Sequence, residues 1–173
     1  VFREFPYLYD GSLAYEREYM RSFAASPRST LVIARDGEAV VGAATATPLL
    51  EHGEADVAAQ ALRTVGFDPA QVYYFGESVL LQAYRGRRIG HAFFDHREAA
   101  AREHGFAVAS FCAVDRPRDH TSRPSDYVPH DVFWSKRGYR RHPGAVATFT
   151  WRDLGDAEES AKPMVFWTKE LGA

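Results

Sequence analysis

The chain of 173 residues is long enough for one domain with one hydrophobic core, and its composition, 46% hydrophobic and 25% charged, is that of an ordinary globular protein. A formal net charge of −2 argues against a general nucleic-acid-binding protein, and no apolar stretch approaches the length of a membrane span. We therefore expect neither nucleic acid nor a membrane among its partners. The single cysteine, Cys112, excludes an intramolecular disulfide and fits a reducing compartment, so we expect a cytoplasmic location.

Hydrophobic periodicity and turn residues predict an alternation of helices and strands. In chain order these are a helix over 13–24, strands over 30–35 and 39–47, a helix over 55–64, a strand over 73–81, a helix over 89–104, a strand over 106–114, a helix over 131–137, and strands around 144–152 and 163–170. Because Pro6 interrupts the segment before the first helix, we expect a separate turn of helix over 1–5. The order predicts one domain over residues 1–173, of α/β (α+β) class, with a mixed, mostly antiparallel sheet flanked by helices.

Three segments between the predicted elements have informative sequences. Asp36-Gly37 is the strongest hairpin signal in the chain and joins the first two strands. Residues 51–72 are polar and then rich in alanine, which indicates an insertion before the central strand. Residues 115–130 contain three prolines among charged and hydroxyl residues, which predicts an irregular loop. Loops of this length in compact domains are usually functional or disordered.

The most informative segment is the turn between the strand over 73–81 and the helix that follows it. It reads Tyr84-Arg85-Gly86-Arg87-Arg88-Ile89-Gly90, with three arginines and two glycines immediately before a helix. Backbone amides at a helix N-terminus have no intrahelical partner and carry the positive end of the macrodipole, so this turn suits a phosphate. Walker and dinucleotide patterns are absent, since Gly90 is followed by His91-Ala92 and no G-x-G-x-x-G occurs. A basic surface turn that caps an ordinary helix is the alternative.

What remains resembles motif A of the GNAT superfamily of acyl-CoA N-acyltransferases, usually written Q/R-x-x-G-x-G/A. Arg85 fills its first position and Gly90 its last, whereas Arg88 stands where the family usually has its first glycine. The preceding run VLLQAYRG also resembles the family's strand-to-turn segment, where the pantetheine arm of coenzyme A pairs with strand backbone. The resemblance implies a GNAT-like fold, with acetyl-CoA as co-substrate.

A second segment, Val132-Phe133-Trp134-Ser135-Lys136-Arg137-Gly138-Tyr139, resembles a FY-x-K-x-GF pattern that GNAT proteins often carry after the fifth strand. The family's frequent general acid is a tyrosine at the second aromatic position, and this chain has Trp134 there. An indole N–H does not supply a proton to a departing thiolate, so we expect Trp134 to pack against the cofactor. A GNAT domain normally opens with a strand that is not found here, so we expect that a native segment before Val1 is missing.

The resemblance implies that an acetyl group passes directly from acetyl-CoA to a primary amine in a ternary complex. The cofactor-binding residues that it implies are Val79, Leu80, Leu81, Arg85, Gly86, Arg87, Arg88, Ile89, Gly90, His91 and Trp134. Amides near Leu80 and Leu81 would pair with pantetheine, and one of them would polarise the thioester carbonyl.

For the base that deprotonates the amine we choose Glu77, because it lies mid-strand among apolar neighbours, where burial raises a carboxyl pKa. Its alternative role is a structural carboxylate that accepts a hydrogen bond from a loop. Tyr127 is the candidate acid or substrate ligand, with His130 and Ser78 as further candidates. Cys112 lies in an apolar run, which favours a buried small residue over a nucleophile.

The sequence leaves alternatives for the acceptor, the oligomeric state and the function. The acceptor is a small-molecule or peptide amine, and the aromatic C-terminal strand with Phe166 and Trp167 suits a homodimer contact. The rival function is a GNAT-like domain that binds acyl-CoA as a sensor or scaffold with little or no turnover, which the irregular motif A and Trp134 favour. A phosphate-binding protein unrelated to coenzyme A is a further alternative. His120, Asp115 and Asp119 match no ligand spacing, so we expect no metal.

Overall fold

A computed structural model describes residues 1–172, without the side chains of Tyr15 and Ser22, and over that range the main helices and strands follow the predicted order. The elements are α1 (Leu13–Ala25), β1 (Thr30–Asp36), β2 (Ala39–Pro48), α2 (Ala55–Arg63), β3 (Val72–Leu80), α3 (Ile89–Glu103), β4 (Val108–Val114), α4 (Asp131–Lys136), β5 (Arg140–Trp151) and β6 (Ser160–Glu170). None of the helices in this described part is long and apolar enough to cross a membrane.

The strands form one open sheet in the order β1-β2-β3-β4-β6-β5. Every neighbouring pair is antiparallel except β3 and β4, which are parallel. A parallel pair needs a crossover connection, and α3 supplies it. The mixed, mostly antiparallel sheet with flanking helices is therefore confirmed.

Turn chemistry explains the hairpin between β1 and β2. Asp36 lies opposite Ala39 in the register, so Gly37 and Glu38 make a two-residue loop. Gly37 has φ +57, in the left-handed region that such loops require and that glycine adopts without a steric penalty. The hairpin predicted at Asp36-Gly37 is confirmed.

Two predictions of secondary structure are wrong, the turn of helix over 1–5 and the start of the strand around 144–152. Residues 1–5 form successive turns rather than a turn of helix, and the Glu4 carbonyl accepts from the amides of both Tyr7 and Leu8 at 3.1 Å. The strand predicted around 144–152 begins four residues earlier, at Arg140. The prediction missed this start because Pro143 argues against a strand, since proline is found within strands mainly at edges and irregularities. The register of β5 is irregular here, with a shift between His142 and Val146.

Successive side chains of β3 point to opposite faces of the sheet and build two apolar clusters. Tyr73 and Phe75 join the cluster under α3, whereas Val72 and Tyr74 join the cluster under α2. Phe166 and Trp167 divide between the clusters in the same way and are 0% and 4% exposed. The contact predicted for these two side chains is therefore wrong, since β6 is an interior strand and buries them within the chain, whereas the homodimer itself stays a prediction.

A buried ion pair holds the N-terminal segment, residues 1–9, against the sheet. Arg116 donates to both carboxylate oxygens of Asp153 at 2.7 and 2.8 Å, and these two side chains are 7% and 10% exposed. The same guanidinium donates to the carbonyls of Pro6 at 2.8 Å and Tyr7 at 3.0 Å. A bidentate, largely buried pair of this kind fixes the segment against the residues that follow β4 and β5.

Gly76 allows α1 to approach β3, which generates a stability prediction. A Cβ at this position would lie 2.6 Å from Phe23 Cζ and 2.8 Å from Thr45 Oγ1. We expect Gly76→Ala to lower the free energy of unfolding by about 1–3 kcal/mol, measured by urea titration. The matched control is Gly144→Ala, whose Cβ would meet only Val65 Cγ1 at 3.5 Å, an ordinary contact. Equal stability of the two variants would contradict the close approach.

Candidate active site

The site lies where β3 and β4 separate. These strands pair only from Val72↔Val108 to Tyr74↔Ser110, after which β3 continues to Leu80 and β4 to Val114. A cleft of about 990 Å³ opens between the diverging strands, bounded by residues of the N-terminal segment, the 115–130 loop, α3 and α4. Backbone groups along a strand that has lost its neighbour need other partners, so the cleft offers a hydrogen-bonding edge to an extended ligand.

At the end of β3, the backbone amides of Leu80 and Leu81 point in opposite directions. The Leu81 amide donates to the Val41 carbonyl at 2.9 Å and so belongs to the β2 side. Because successive backbone groups of a strand alternate, the amide and carbonyl of Leu80 face the cleft. The Leu80 carbonyl accepts from Arg85 at 3.3 Å, which agrees with this direction. Of the predicted residues Val79, Leu80 and Leu81, the cleft is lined by Leu80.

The phosphate turn leads directly into α3. Arg88 is the N-cap residue, with φ 66 and ψ 5, and its carbonyl accepts from the amides of His91 at 3.0 Å and Ala92 at 3.2 Å. The amides of Ile89 and Gly90 lie in the first turn of α3, before the first intrahelical donors. Amides at this position have no acceptor within the helix. Gly86 reverses the chain with φ +75. The turn residues that line the cleft are Arg85, Gly86, Arg88, Ile89, Gly90 and His91.

The three arginines of the turn have different environments. Arg85 pairs with Glu4 of the N-terminal segment, with Nη1 2.6 Å from the carboxylate, and its side chain is 40% exposed. Arg87 lies over the ring of Tyr84, 5.1 Å from its centroid, and does not line the cleft. Arg88 is exposed and lines the cleft. The left-handed conformation of Arg88 explains why the family usually has glycine at this position.

Glu77 lies at a bulge in β3. The register shifts so that Ala44 faces Ser78 but Ala46 faces Phe75, which leaves Gly76 and Glu77 opposite Thr45. The Glu77 amide donates to the Thr45 hydroxyl at 2.9 Å. The bulge therefore places Glu77 at the beginning of the cleft, which its partly buried side chain lines.

Burial is the main cause that raises the pKa of Glu77, to about 7. The negative charges of Glu16 and Glu54 raise this pKa further, while Arg97 and a hydrogen bond from Tyr19 lower it. A carboxyl with this pKa is partly ionised at neutral pH and can both accept and release a proton there. This is the charge state that a general base for an ammonium substrate needs.

Tyr7 is a cleft residue that the sequence analysis missed. Its carbonyl accepts from Arg116 and from the Trp151 indole, each at 3.0 Å, and its side chain lines the cleft together with Glu77. Burial, followed by the field of Glu77, raises the pKa of the Tyr7 phenol, so it stays protonated. The signal in the sequence is the density of aromatic residues over 1–9, but their position depends on the distant Arg116 and Trp151.

Tyr127 and Trp134 form another part of the cleft wall. Tyr127 packs its ring edge against Phe5, with centroids 4.7 Å apart, and burial raises the pKa of its phenol. Trp134 contacts Phe111 at 4.9 Å and Trp167 at 5.2 Å, so it belongs to the aromatic core as well as to the wall. His130 and Ser78 also line the cleft.

Two other candidates have structural roles. Cys112 exchanges a hydrogen bond with the Tyr74 hydroxyl at 3.1 Å, and burial raises the pKa of its thiol to about 12, so it is not an activated nucleophile. Asp115 is paired with Arg141 at 2.8 Å. Among the described residues there is no group of three or more His, Cys, Asp or Glu side chains that could hold a metal ion.

Comparison with protein families decides the membership of the chain. A model described as the acetyltransferase (GNAT) family matches residues 2–124. The chain therefore belongs to the GNAT family. A comparison with curated protein sequences gives no match.

Solved structures agree with the GNAT fold. An aminoglycoside 6'-N-acetyltransferase complexed with coenzyme A is 18% identical, with a TM-score of 0.57 over 98% of this chain and 85% of that one. An IAA acetyltransferase from Bacillus cereus ATCC 14579 is 12% identical, with a TM-score of 0.55 over 94% and 87%. A GCN5-related N-acetyltransferase from Kribbella flavida is 18% identical, with a TM-score of 0.55 over 94% and 80%. At these identities the likeness shows the fold alone.

The left-handed Arg88 in the GNAT turn generates a prediction on stability. Arg88→Gly and Arg88→Ala both remove the guanidinium, but only glycine adopts φ 66 without a steric penalty. We expect Arg88→Gly to exceed Arg88→Ala in free energy of unfolding by about 1 kcal/mol, because a left-handed residue with a Cβ carries about that penalty. Urea titrations of both variants measure the difference. An alanine variant as stable as the glycine variant would show that residue 88 is not left-handed.

Proposed function

We propose that the protein is an N-acetyltransferase that passes an acetyl group from acetyl-CoA to a primary amine by direct attack in a ternary complex. The observation that carries the proposal is the position of Glu77, with its near-neutral pKa, at the beginning of a cleft that ends at a phosphate turn. The cleft has the two features that acyl-CoA needs, an open strand edge and a set of helix N-terminal amides. The GNAT family membership supports the same reaction class.

Residues of this chain bind the two ends of the co-substrate in this proposal. The amides of Arg88, Ile89 and Gly90, with the Arg88 guanidinium, bind the diphosphate. The Leu80 amide donates to the pantetheine or to the thioester carbonyl, where it stabilises the negative charge that develops during attack. The thioester supplies the acetyl group. Trp134 provides an apolar wall and takes no part in proton transfer.

Glu77 prepares the acceptor. A primary amine is mostly protonated at neutral pH, and the Glu77 carboxylate accepts that proton, directly or through water, so that the nitrogen lone pair can attack. The departing sulfur receives a proton from a protonated phenol on the cleft wall. Tyr127 and Tyr7 are the two phenols among the described cleft residues that can fill this role. We retain Tyr127 as a candidate and add Tyr7.

Charge favours a cationic acceptor. The carboxyls of Glu16 and Glu54 are close enough to Glu77 to raise its pKa, so negative charge surrounds the base on the side of α1 and α2. Such a field attracts an ammonium group and its further positive charges. The acceptor is thus a small molecule or peptide with a primary amine.

The rival function is an acyl-CoA sensor or scaffold with little or no turnover, and one specific observation favours it. Trp134 occupies the position where the family often has its acid, and it is packed against Phe111 and Trp167. Thiol release from acetyl-CoA, measured with a panel of amines, separates the two functions. Saturable acetyl-CoA binding without thiol release from any amine would leave only the sensor, and no binding of coenzyme A would exclude both.

The role of Glu77 predicts both a rate loss and a pH dependence. The active form is the carboxylate, so kcat/KM should rise as pH increases from 6 to 8, with its midpoint at the Glu77 pKa of about 7. Glu77→Gln should remove this limb and lower kcat/KM by roughly 10²–10⁴-fold, while acetyl-CoA binding, measured by calorimetry, is retained. Trp134→Phe is the matched control and should keep both the limb and most of the rate. An unchanged limb in Glu77→Gln would assign the base elsewhere.

The ion pair between Arg85 and Glu4 predicts a gain in affinity. The Glu4 carboxylate lines the cleft beside the phosphate turn, where it repels a diphosphate and neutralises Arg85. We expect Glu4→Gln to lower the Kd for coenzyme A roughly threefold in low salt, because an exposed charge contributes below about 1 kcal/mol. The gain should shrink as salt screens the charges.

Asp10→Asn is the control for this affinity prediction. Asp10 also belongs to an exposed ion pair of the N-terminal region, with Arg3 at 2.8 Å, but it does not line the cleft. Its substitution should leave the Kd unchanged. Equal effects of the two substitutions, or weaker binding by Glu4→Gln, would show that Glu4 does not compete with the ligand.

A further inference from the structure

Arg97 is a buried cation that neither the sequence motifs nor the proposed reaction assigns. It lies on α3 in the stripe that also contains Phe93 and Ala101, each one helical turn away, and it is 1% exposed. Burial of a guanidinium costs free energy unless its donors find partners. The partners of Arg97 therefore indicate its role.

Arg97 connects the two strands that form the bulge. Its Nη1 donates to the Thr45 carbonyl of β2 at 3.2 Å and to the Glu77 carbonyl of β3 at 3.4 Å. Its Nε donates to the Phe93 carbonyl at 3.1 Å, within its own helix. These three bonds join α3, β2 and β3 at a single side chain.

Aromatic rings hold the guanidinium in place. Its central carbon lies 4.4 Å from the centroid of Phe75 and 4.9 Å from that of Phe94. A cation between aromatic rings is restricted in position as well as stabilised. Nη2 has no hydrogen-bond partner among the described residues, and Arg97 borders the cleft.

The bulge explains why such a donor is needed here. An extra residue in one strand interrupts the regular ladder, so the carbonyls next to it lose their usual backbone partners. The Thr45 hydroxyl supplies a bond to the Glu77 amide, and Arg97 supplies bonds to the Thr45 and Glu77 carbonyls. Both backbone polar groups of Glu77, its amide and its carbonyl, are thus held by hydrogen bonds, so the two peptide groups that flank its Cα are fixed.

We propose that Arg97 is a positioning residue that fixes the bulge of β3 and thereby directs the Glu77 carboxylate into the cleft. The inference rests on the proposed role of Glu77 as the base. Arg97 lies on α3, on the opposite face of the sheet. It acts on Glu77 through the backbone and does not touch the reacting atoms.

Arg97 also differs in sign from the other groups that influence Glu77. The groups that interact electrostatically with Glu77 include carboxyls, phenols and one thiol of the N-terminal segment, α1, the start of α2, β3 and β4, together with the guanidinium of Arg97. These groups are Tyr7, Tyr9, Glu16, Tyr19, Glu54, Tyr74, Arg97 and Cys112. Removal of Arg97 therefore both frees the bulge and raises the proton affinity of Glu77.

Two substitutions separate these effects. Arg97→Met removes the charge and the bonds, whereas Arg97→Lys keeps the charge but loses the planar guanidinium, in which Nε is held by the Phe93 carbonyl while Nη1 reaches the Thr45 and Glu77 carbonyls. Hydrogen exchange of the Glu77 amide reports on the bulge, and NMR titration of the Glu77 carboxyl reports on the charge. Both measurements use the full chain and need no turnover. Leu62→Ala is the control for lost stability, since Leu62 is buried in the other apolar cluster and does not line the cleft.

We expect faster exchange of the Glu77 amide in both Arg97 variants and not in Leu62→Ala. In Arg97→Met the Glu77 titration and the acid limb of kcat/KM should both move to higher pH by about one unit, and in Arg97→Lys they should stay in place. In both variants kcat should fall up to about 100-fold, the effect of a small displacement of a catalytic group, while KM for acetyl-CoA is retained.

Other results would overturn the proposal. Unchanged exchange of the Glu77 amide in Arg97→Lys would show that Arg97 does not hold the bulge, even if Arg97→Met fails to fold. A raised KM for acetyl-CoA with an unchanged kcat would assign Arg97, through Nη2, to ligand binding instead. If the wild-type protein shows no turnover, the proposed function fails, yet exchange and titration still decide the positioning role.

Discussion

The early separation of β3 from β4 is the constraint on which the rest of the structure depends. The strands share only three register pairs, from Val72↔Val108 to Tyr74↔Ser110. Beyond them, Phe75 and Phe111 turn into one aromatic cluster and pack against Phe94 and Tyr139 of neighbouring elements. Close packing of these large rings occupies the interior beside the diverging strands. The open edge of β3, the cleft and the start of α3 at its far end all follow from this divergence.

Buried charge connects the two segments that the GNAT resemblance singled out. Glu98 of α3 is 5% exposed and accepts from Arg137 at 3.1 Å, Tyr139 at 3.2 Å and Lys169 at 2.7 Å. A buried carboxylate with several charge-assisted bonds holds its partners in one arrangement. The segment after α4 is thereby fixed against α3, the helix that begins at the basic turn. The two motifs are separated in the chain by most of α3, β4 and a long loop. Glu98, on the helix that follows the first motif, bonds to Arg137 and Tyr139 of the second.

The two ends of the cleft, at Glu77 and at Arg85, have different electrostatic environments. At the base end, burial and neighbouring acids raise a carboxyl pKa to about 7, and one buried arginine on the opposite face limits the rise. At the end of the cleft next to the basic turn, Arg85 is held by Glu4, a carboxylate of the N-terminal segment. That segment is itself fixed by Arg116 and Asp153, so the loop after β4 and the loop after β5 together decide what lies over the cleft. The electrostatic environments of Glu77 and of Arg85 are thus set by different elements.

The sequence by itself determined the order and type of the main elements, the hairpin at Asp36-Gly37 and the basic turn before α3, because these depend on periodicity and on residues adjacent in the chain. The sequence also singled out Glu77 as a candidate base, from its position mid-strand among apolar residues. It predicted the wrong start for β5, where Pro143 at an irregular register hides the strand. Only the tertiary structure decided that the Leu80 amide faces the cleft, that Tyr7 lines it, and that Arg97 connects Thr45 to Glu77. Tertiary contacts in and around the cleft join residues as far as 81 and 110 positions apart, as in the contacts of Arg85 with Glu4 and Arg116 with Pro6. Local patterns specify which face of an element is apolar, but not which distant carbonyl or carboxylate a charged side chain will meet once the layers are packed.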